Sequence, residues 1–148
     1  MKRTLTLTNN LILRKYSQKS WSICFEITYD DISALILEFQ MIVYRLTQSV
    51  ILLSPKGEDS VNILLNEKEE SEITKDSSKL NILLSQKDIE FVISYLLQYY
   101  RDYCAPVSHI DIELVHKGLL GQDATLVIKA SDVIEPMTEE DARKMLGM

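Results

Sequence analysis

Three polar side chains invite a chemical reading. His109, Asp111 and Glu113 recur at every second position of the segment His109–Val115. Side chains alternate along a strand, so the three share one face. Imidazole with two carboxylates is a donor set that several divalent metals accept. On a strand, however, same-face neighbours stand about 7 Å apart, so a metal would need further ligands from elsewhere. The opposite face is Ile110, Ile112 and Leu114, the pattern of any half-solvated strand. Metal binding is therefore the weaker reading of this row, and no cofactor is expected.

Nucleophilic catalysis has less support. Cys104 lies five residues before His109, which leaves a Cys–His pair as a formal option. Yet there is no GxSxG elbow, and with four glycines the chain has no phosphate-cradling loop or dinucleotide fingerprint. Cys24 and Cys104 have neither CxxC spacing nor a Cys/His cluster around them, which argues against structural zinc. They read as two buried free thiols.

The aromatic residues of the second half say more. Phe91, Tyr95, Tyr99 and Tyr103 follow one another at i+4, one stripe of a helix. Ile89, Val92, Ile93, Leu96 and Tyr100 form a separate core stripe on the same segment. A surface helix ordinarily has one apolar stripe and a polar back. Either this helix packs against another helix as well as a sheet, or its second stripe serves a partner. Arg101 and Asp102 beside the aromatics complete a residue mix common in interfaces. Leu37, Met41 and Tyr44 lie similarly off the core line of an earlier helix. Glu67, Glu69, Glu70, Glu72 and Asp76 offer acidic steering for a basic partner.

The elements that carry these residues follow from periodicity and punctuation. Arg3–Thr8 alternates, Asn9-Asn10 is a turn signal, and Leu11–Tyr16 follows, which predicts a hairpin. Ser22–Tyr29 is a strand with Phe25, Ile27 and Tyr29 on one face. Asp30-Asp31 opens a helix over roughly 31–48, with Ile32, Leu35, Ile36, Phe39, Val43 and Leu46 at helical spacing. Strands at 49–53 and 60–65 flank the turn at 55–59. Residues 66–79 are charged, serine-rich and aperiodic, and read as a mobile loop. A strand at 80–84 leads to Ser85 and Asp88, a loose capping box, and to a helix over roughly 86–103. Strands at 109–115 and 124–130 flank a loop at 117–123. Thr138 caps a short closing helix, 139–146.

The expected fold is thus α+β: a largely antiparallel sheet with two main helices on one face. One domain, 1–148, suits the length. Half-repeats at 22–65 and 80–130, joined by 66–79, are suggested because an offset of 57 aligns Asp31-Ile32 with Asp88-Ile89, and Leu35, Ile36 and Phe39 with Val92, Ile93 and Leu96.

Net charge is −6, but residues 1–23 hold five bases and no acid, leaving −11 on the remainder (11 basic against 22 acidic). An acidic body disfavours binding to nucleic-acid phosphates. No apolar run approaches the roughly 20 residues of a membrane span. The N-terminus has no secretory profile, and a cytoplasmic protein is expected. The composition points to a non-enzymatic protein-binding domain, in concrete form an immunity- or antitoxin-type inhibitor of a basic toxin. The alternatives are a small-ligand or metal-dependent enzyme using the His109 row, and a homodimer built on the second helical stripe.

Overall fold

A computed structural model describes residues 3–8, 11–17, 20–76, 79–116 and 123–131, with 140, 143, 144 and 147 near the C-terminus. The strands are β1 (Arg3–Thr6), β2 (Leu11–Ser17), β3 (Ser20–Ile27), β4 (Ser49–Leu53), β5 (Ser60–Asn66), β6 (Glu72–Asp76), β7 (Lys79–Ser85), β8 (His109–His116) and β9 (Asp123–Ala130). A 3-10 turn, Tyr29–Asp31, leads into α1 (Ile32–Val43), and α2 spans Gln86–Asp102.

All nine strands form one sheet in the order β1-β4-β5-β7-β6-β8-β9-β3-β2. The fold is α+β, as the sequence implies. Antiparallel pairs β2–β3, β4–β5, β6–β7 and β8–β9 are joined by parallel pairs β1–β4, β5–β7, β6–β8 and β3–β9. β1 and β2 stand at opposite ends of this order, yet only residues 7–10 separate them in the chain. Nine flat strands would span about 38 Å. The link reaches about 17 Å at most. The sheet must therefore curl until its two ends come within that reach.

The expected β1–β2 hairpin does not form: β1 pairs with β4 and β2 with β3. Asn9 and Asn10, the turn signal, lie outside the described residues. The residues on either side are held by the core and by β4. Leu7 and Leu11 are both buried, and the Leu7 amide donates to the Leu53 carbonyl at 2.9 Å.

Residues 66–79 also depart from expectation. They hold the end of β5, a turn at 67–70, and β6, which pairs with β7 on one side and β8 on the other. Local composition lost to tertiary pairing. β7 pairs along the whole of β6 and β8 pairs with Glu72 and Ile73, and Ile73, 1% exposed, supplies its core contact.

The register keeps one face apolar. Val50 sits opposite Ile63, Ile63 beside Ile82, Ile112 opposite Leu126, and Leu126 beside Ile23. All are buried, in one cluster with Ile32, Leu35, Phe39 and Ile42 of α1 and Ile89, Val92, Leu96 and Tyr99 of α2. α1 ends earlier than periodicity suggests. The Leu46 amide reaches the Met41 carbonyl at 2.8 Å and the Arg45 amide the Ile42 carbonyl at 3.0 Å, a Schellman stop with Arg45 at φ 59°. Leu46, expected in the core stripe, is left exposed.

Two antiparallel pairs flank each helix: β2–β3 and β4–β5 flank α1, and β6–β7 and β8–β9 flank α2. Each helix also starts beside a hydrogen-bonded aspartate. Asp31, buried, accepts from the Thr28 amide (3.0 Å), the Thr8 amide (3.0 Å) and the Thr8 hydroxyl (2.9 Å). In the second half the Ser85 hydroxyl accepts from the Asp88 amide at 3.2 Å, and the Asp88 carboxylate accepts from the Ser71 hydroxyl. Ser71 in turn accepts from the Ser85 amide at 2.9 Å. A carboxylate near each helix N-terminus thereby ties the helix to the strand beneath it. The closing helix expected at 139–146 falls largely outside the described residues.

Candidate partner-binding surface

α1 and α2 lie side by side and antiparallel. The start of α1 meets the end of α2, where the Tyr29 hydroxyl donates to the Tyr100 carbonyl at 3.2 Å. The end of α1 meets the start of α2 along a groove lined by Gln40, Tyr44 and Arg45 on one side and Gln86 and Glu90 on the other. Both helices bury one stripe against the sheet and each other. Their backs face solvent, and these carry Leu37 and Tyr44 on α1's side and Leu97, Tyr100 and Tyr103 on α2's, all exposed.

The aromatic stripe read from the sequence is split by this arrangement. Tyr95 and Tyr99 are 3% and 1% exposed and belong to the core. They cannot offer a partner their rings. The Tyr95 hydroxyl donates to the Val107 carbonyl at 2.9 Å. Phe91 and Tyr103 do face solvent, and so does Tyr100, which periodicity assigns to the core. The cause is geometric. A stripe at i+4 drifts around a helix, and here its middle turns into the core while Phe91 and Tyr103 stay outside.

Tyr103 ends α2 at φ 55°, a left-handed conformation that costs a non-glycine residue about 1 kcal/mol. It is 79% exposed, and its ring stacks on Tyr29 with centroids 5.1 Å apart. Tyr29 also stacks on Tyr100 at 5.7 Å and meets Tyr99 at 6.1 Å. Alternation placed Tyr29 in a strand, on one face with Phe25 and Ile27; it stands in the 3-10 turn, half-buried, at the hub of this cluster. Loss of solvent raises the Tyr29 phenol above its ordinary value, with the Tyr103 and Tyr100 phenols adding to the effect. Arg101 and Asp102 bind each other at 2.8 and 2.9 Å. Arg101 holds the Asp102 carboxyl below the usual carboxylate range.

The acidic candidates lie at the other end of the helix pair. Glu67, Glu69 and Glu70 are exposed in the turn after β5, but Glu72, inside β6, is buried and 3.7 Å from the Lys68 ammonium. A groove of about 600 Å³ runs from Arg45, Glu67 and Glu69 to Gln86, Lys87 and Glu90. The structure thus joins the acidic turn to the helix backs. The turn's charge is tempered by Lys68 and by Arg45, whose guanidinium is 3.0 Å from Glu67.

His109, Asp111 and Glu113 occupy the exposed face of β8, as alternation requires. His109 and Asp111 approach to 3.8 Å, and the His109 ring also meets the Ser108 hydroxyl at 3.1 Å. Among the described residues no three His, Cys, Asp or Glu side chains gather closely enough to hold a metal ion. The Cys104 thiol is directed at the Ala105 carbonyl, 3.6 Å away, and is exposed where burial was expected; Cys24 is half-buried. No helix among the described residues is long and apolar enough to cross a membrane.

No protein-family model matches the chain, and no curated protein is similar to it.

Proposed function

We propose that this protein is a non-enzymatic binding domain that docks a partner protein on the backs of α1 and α2. The carrying observation is Tyr103, a ring held in a left-handed backbone, stacked and yet 79% exposed. Strain and exposure of this kind persist where a surface is kept for use. Leu37, Leu97 and Tyr100 extend the apolar area, and Tyr is a favoured interface anchor. The acidic turn at 67–70 borders the same helices and suits a partner with basic surface. The concrete form of this reading is a cytoplasmic immunity- or antitoxin-type inhibitor that covers the basic face of a toxin.

Capture from native lysate tests it, with wild type compared against Leu97→Asp and Tyr103→Ala. One protein retained by wild type at physiological salt and lost with either variant is expected. An identical set of captured proteins for all three would refute the reading. A two-fold dimer through the same helix backs is the second reading, favoured by the continuity of Leu37, Leu97 and Tyr100 across two antiparallel helices. Sedimentation at high micromolar concentration separates the two: a monomer excludes the dimer.

A further inference from the structure

The two halves differ at one sheet position. In the first half, β1 covers the free side of β4 from Val50 to Leu53. In the second half β8 has the corresponding place, and among the described residues β6 pairs with it at Val115 and His116 alone. Upstream of β6 the chain turns away through 67–70 instead of running along β8. Among the described residues, then, nothing pairs with the 109–114 stretch on that side.

The phase of the open edge is fixed by two hydrogen bonds. The Ala130 amide donates to the Ser108 carbonyl at 2.9 Å, so even-numbered residues of β8 exchange bonds with β9. The Val115 amide donates to the Ser71 carbonyl at 2.9 Å, so odd-numbered residues point the other way. The backbone N–H and C=O groups of Asp111 and Glu113 therefore face the vacant side. A row of such groups is a template for strand addition.

We propose that this edge of β8 receives an extended segment of a partner protein, aligned parallel as β1 lies on β4, with apolar and basic residues alternating. Side chains of the added strand that share a face with Ile110, Ile112 and Leu114 extend the buried row and must be apolar. Those on the other face stand beside the exposed carboxylates of Asp111 and Glu113, which select Lys or Arg. The same carboxylates oppose pairing of two copies of this edge, since like charges would face each other. The site is separate from the helix backs, and either can fail alone.

The test uses the full chain, labelled with nitrogen-15, and a capped eight-residue peptide of alternating valine and lysine. The Asp111 and Glu113 amides should shift and become protected from hydrogen exchange on addition. A valine–glutamate peptide of the same length should bind at least tenfold more weakly. So should the lysine peptide with alternate amides N-methylated, which removes the main-chain bonds. The surface variant D111K/E113K should lose the preference for the lysine peptide while keeping its spectrum dispersed. Shifts confined to α1 and α2, equal affinity for the two charge types, or Asp111 and Glu113 amides already protected in the free protein would each overturn the proposal.

Discussion

In the first half β1 covers the free side of β4, whereas in the second half β6 reaches β8 at Val115 and His116. Residues 57 apart play matching roles: Thr28 and Ser85 precede the helices, Asp31 and Asp88 anchor them, and Ile42 and Tyr99 fill the core beneath. The surroundings differ. Asp31 is buried under donors from Thr8 and Thr28, while Asp88 is only half-buried. On α1, Glu38 is buried and meets Arg3 of β1 at 2.8 Å; its counterpart on α2 is Tyr95, bonded to Val107 before β8. One half thus spends its helix on holding an extra strand. The other half turns Tyr100 and Tyr103 to solvent and leaves an edge of β8 open. Where the same framework is less completely covered, surface remains for something else.

Core substitutions probe the framework most strongly. Tyr99→Ala should lose about 3–5 kcal/mol, and Ile42→Ala about 2–5 kcal/mol, in urea denaturation. A loss below about 1 kcal/mol at either site would show that the two helices do not share one core. Next come the anchors. Asp31→Ala should cost about 2–3 kcal/mol, because it strands several buried donors, and Asp88→Ala about 1–2 kcal/mol. The reverse order would break the contrast drawn between the two halves.

Smaller effects sharpen the second half. The Tyr99 hydroxyl is buried without a hydrogen-bond partner among the described residues. Tyr99→Phe should therefore be neutral or stabilising by up to about 1 kcal/mol. A destabilisation larger than that would reveal a partner for the hydroxyl. The smallest effect is the Tyr29 titration. Its phenol is raised in the fold, so the native state holds this proton more tightly than the unfolded chain does. The stability it adds is complete below the ordinary phenol value and is lost as pH rises through the higher folded one. Ultraviolet titration of wild type against Tyr29→Phe should show the missing phenol as a late-titrating one, and Tyr103→Ala should move the Tyr29 transition earlier. No change with Tyr103→Ala would separate the two rings electrostatically.

Much of the fold was legible locally. Asp31 and Asp88 marked the helix starts, and Ile110, Ile112 and Leu114 marked the inner face of β8. These signals are short-range: a cap needs three residues and an alternating strand five. Residues 66–79 misled because their charge describes solvated side chains, whereas β6 exists through partners from β7 and β8. The proposed binding surface was half legible. Phe91 and Tyr103 were found by spacing, but Tyr95, Tyr99 and Glu72 are buried, and Tyr29, Leu97 and Tyr100 carried no signal that set them apart from core.

By itself, then, the sequence determined two amphipathic helices, their capped starts, most of the strands and an acidic body, because periodicity and capping act within a few residues. Only the tertiary structure decided which apolar residues reach solvent and which edge stays open. Those outcomes depend on how the two helices seat on the sheet and on each other, and on the long-range pairing that sends β1 to β4 instead of to β2.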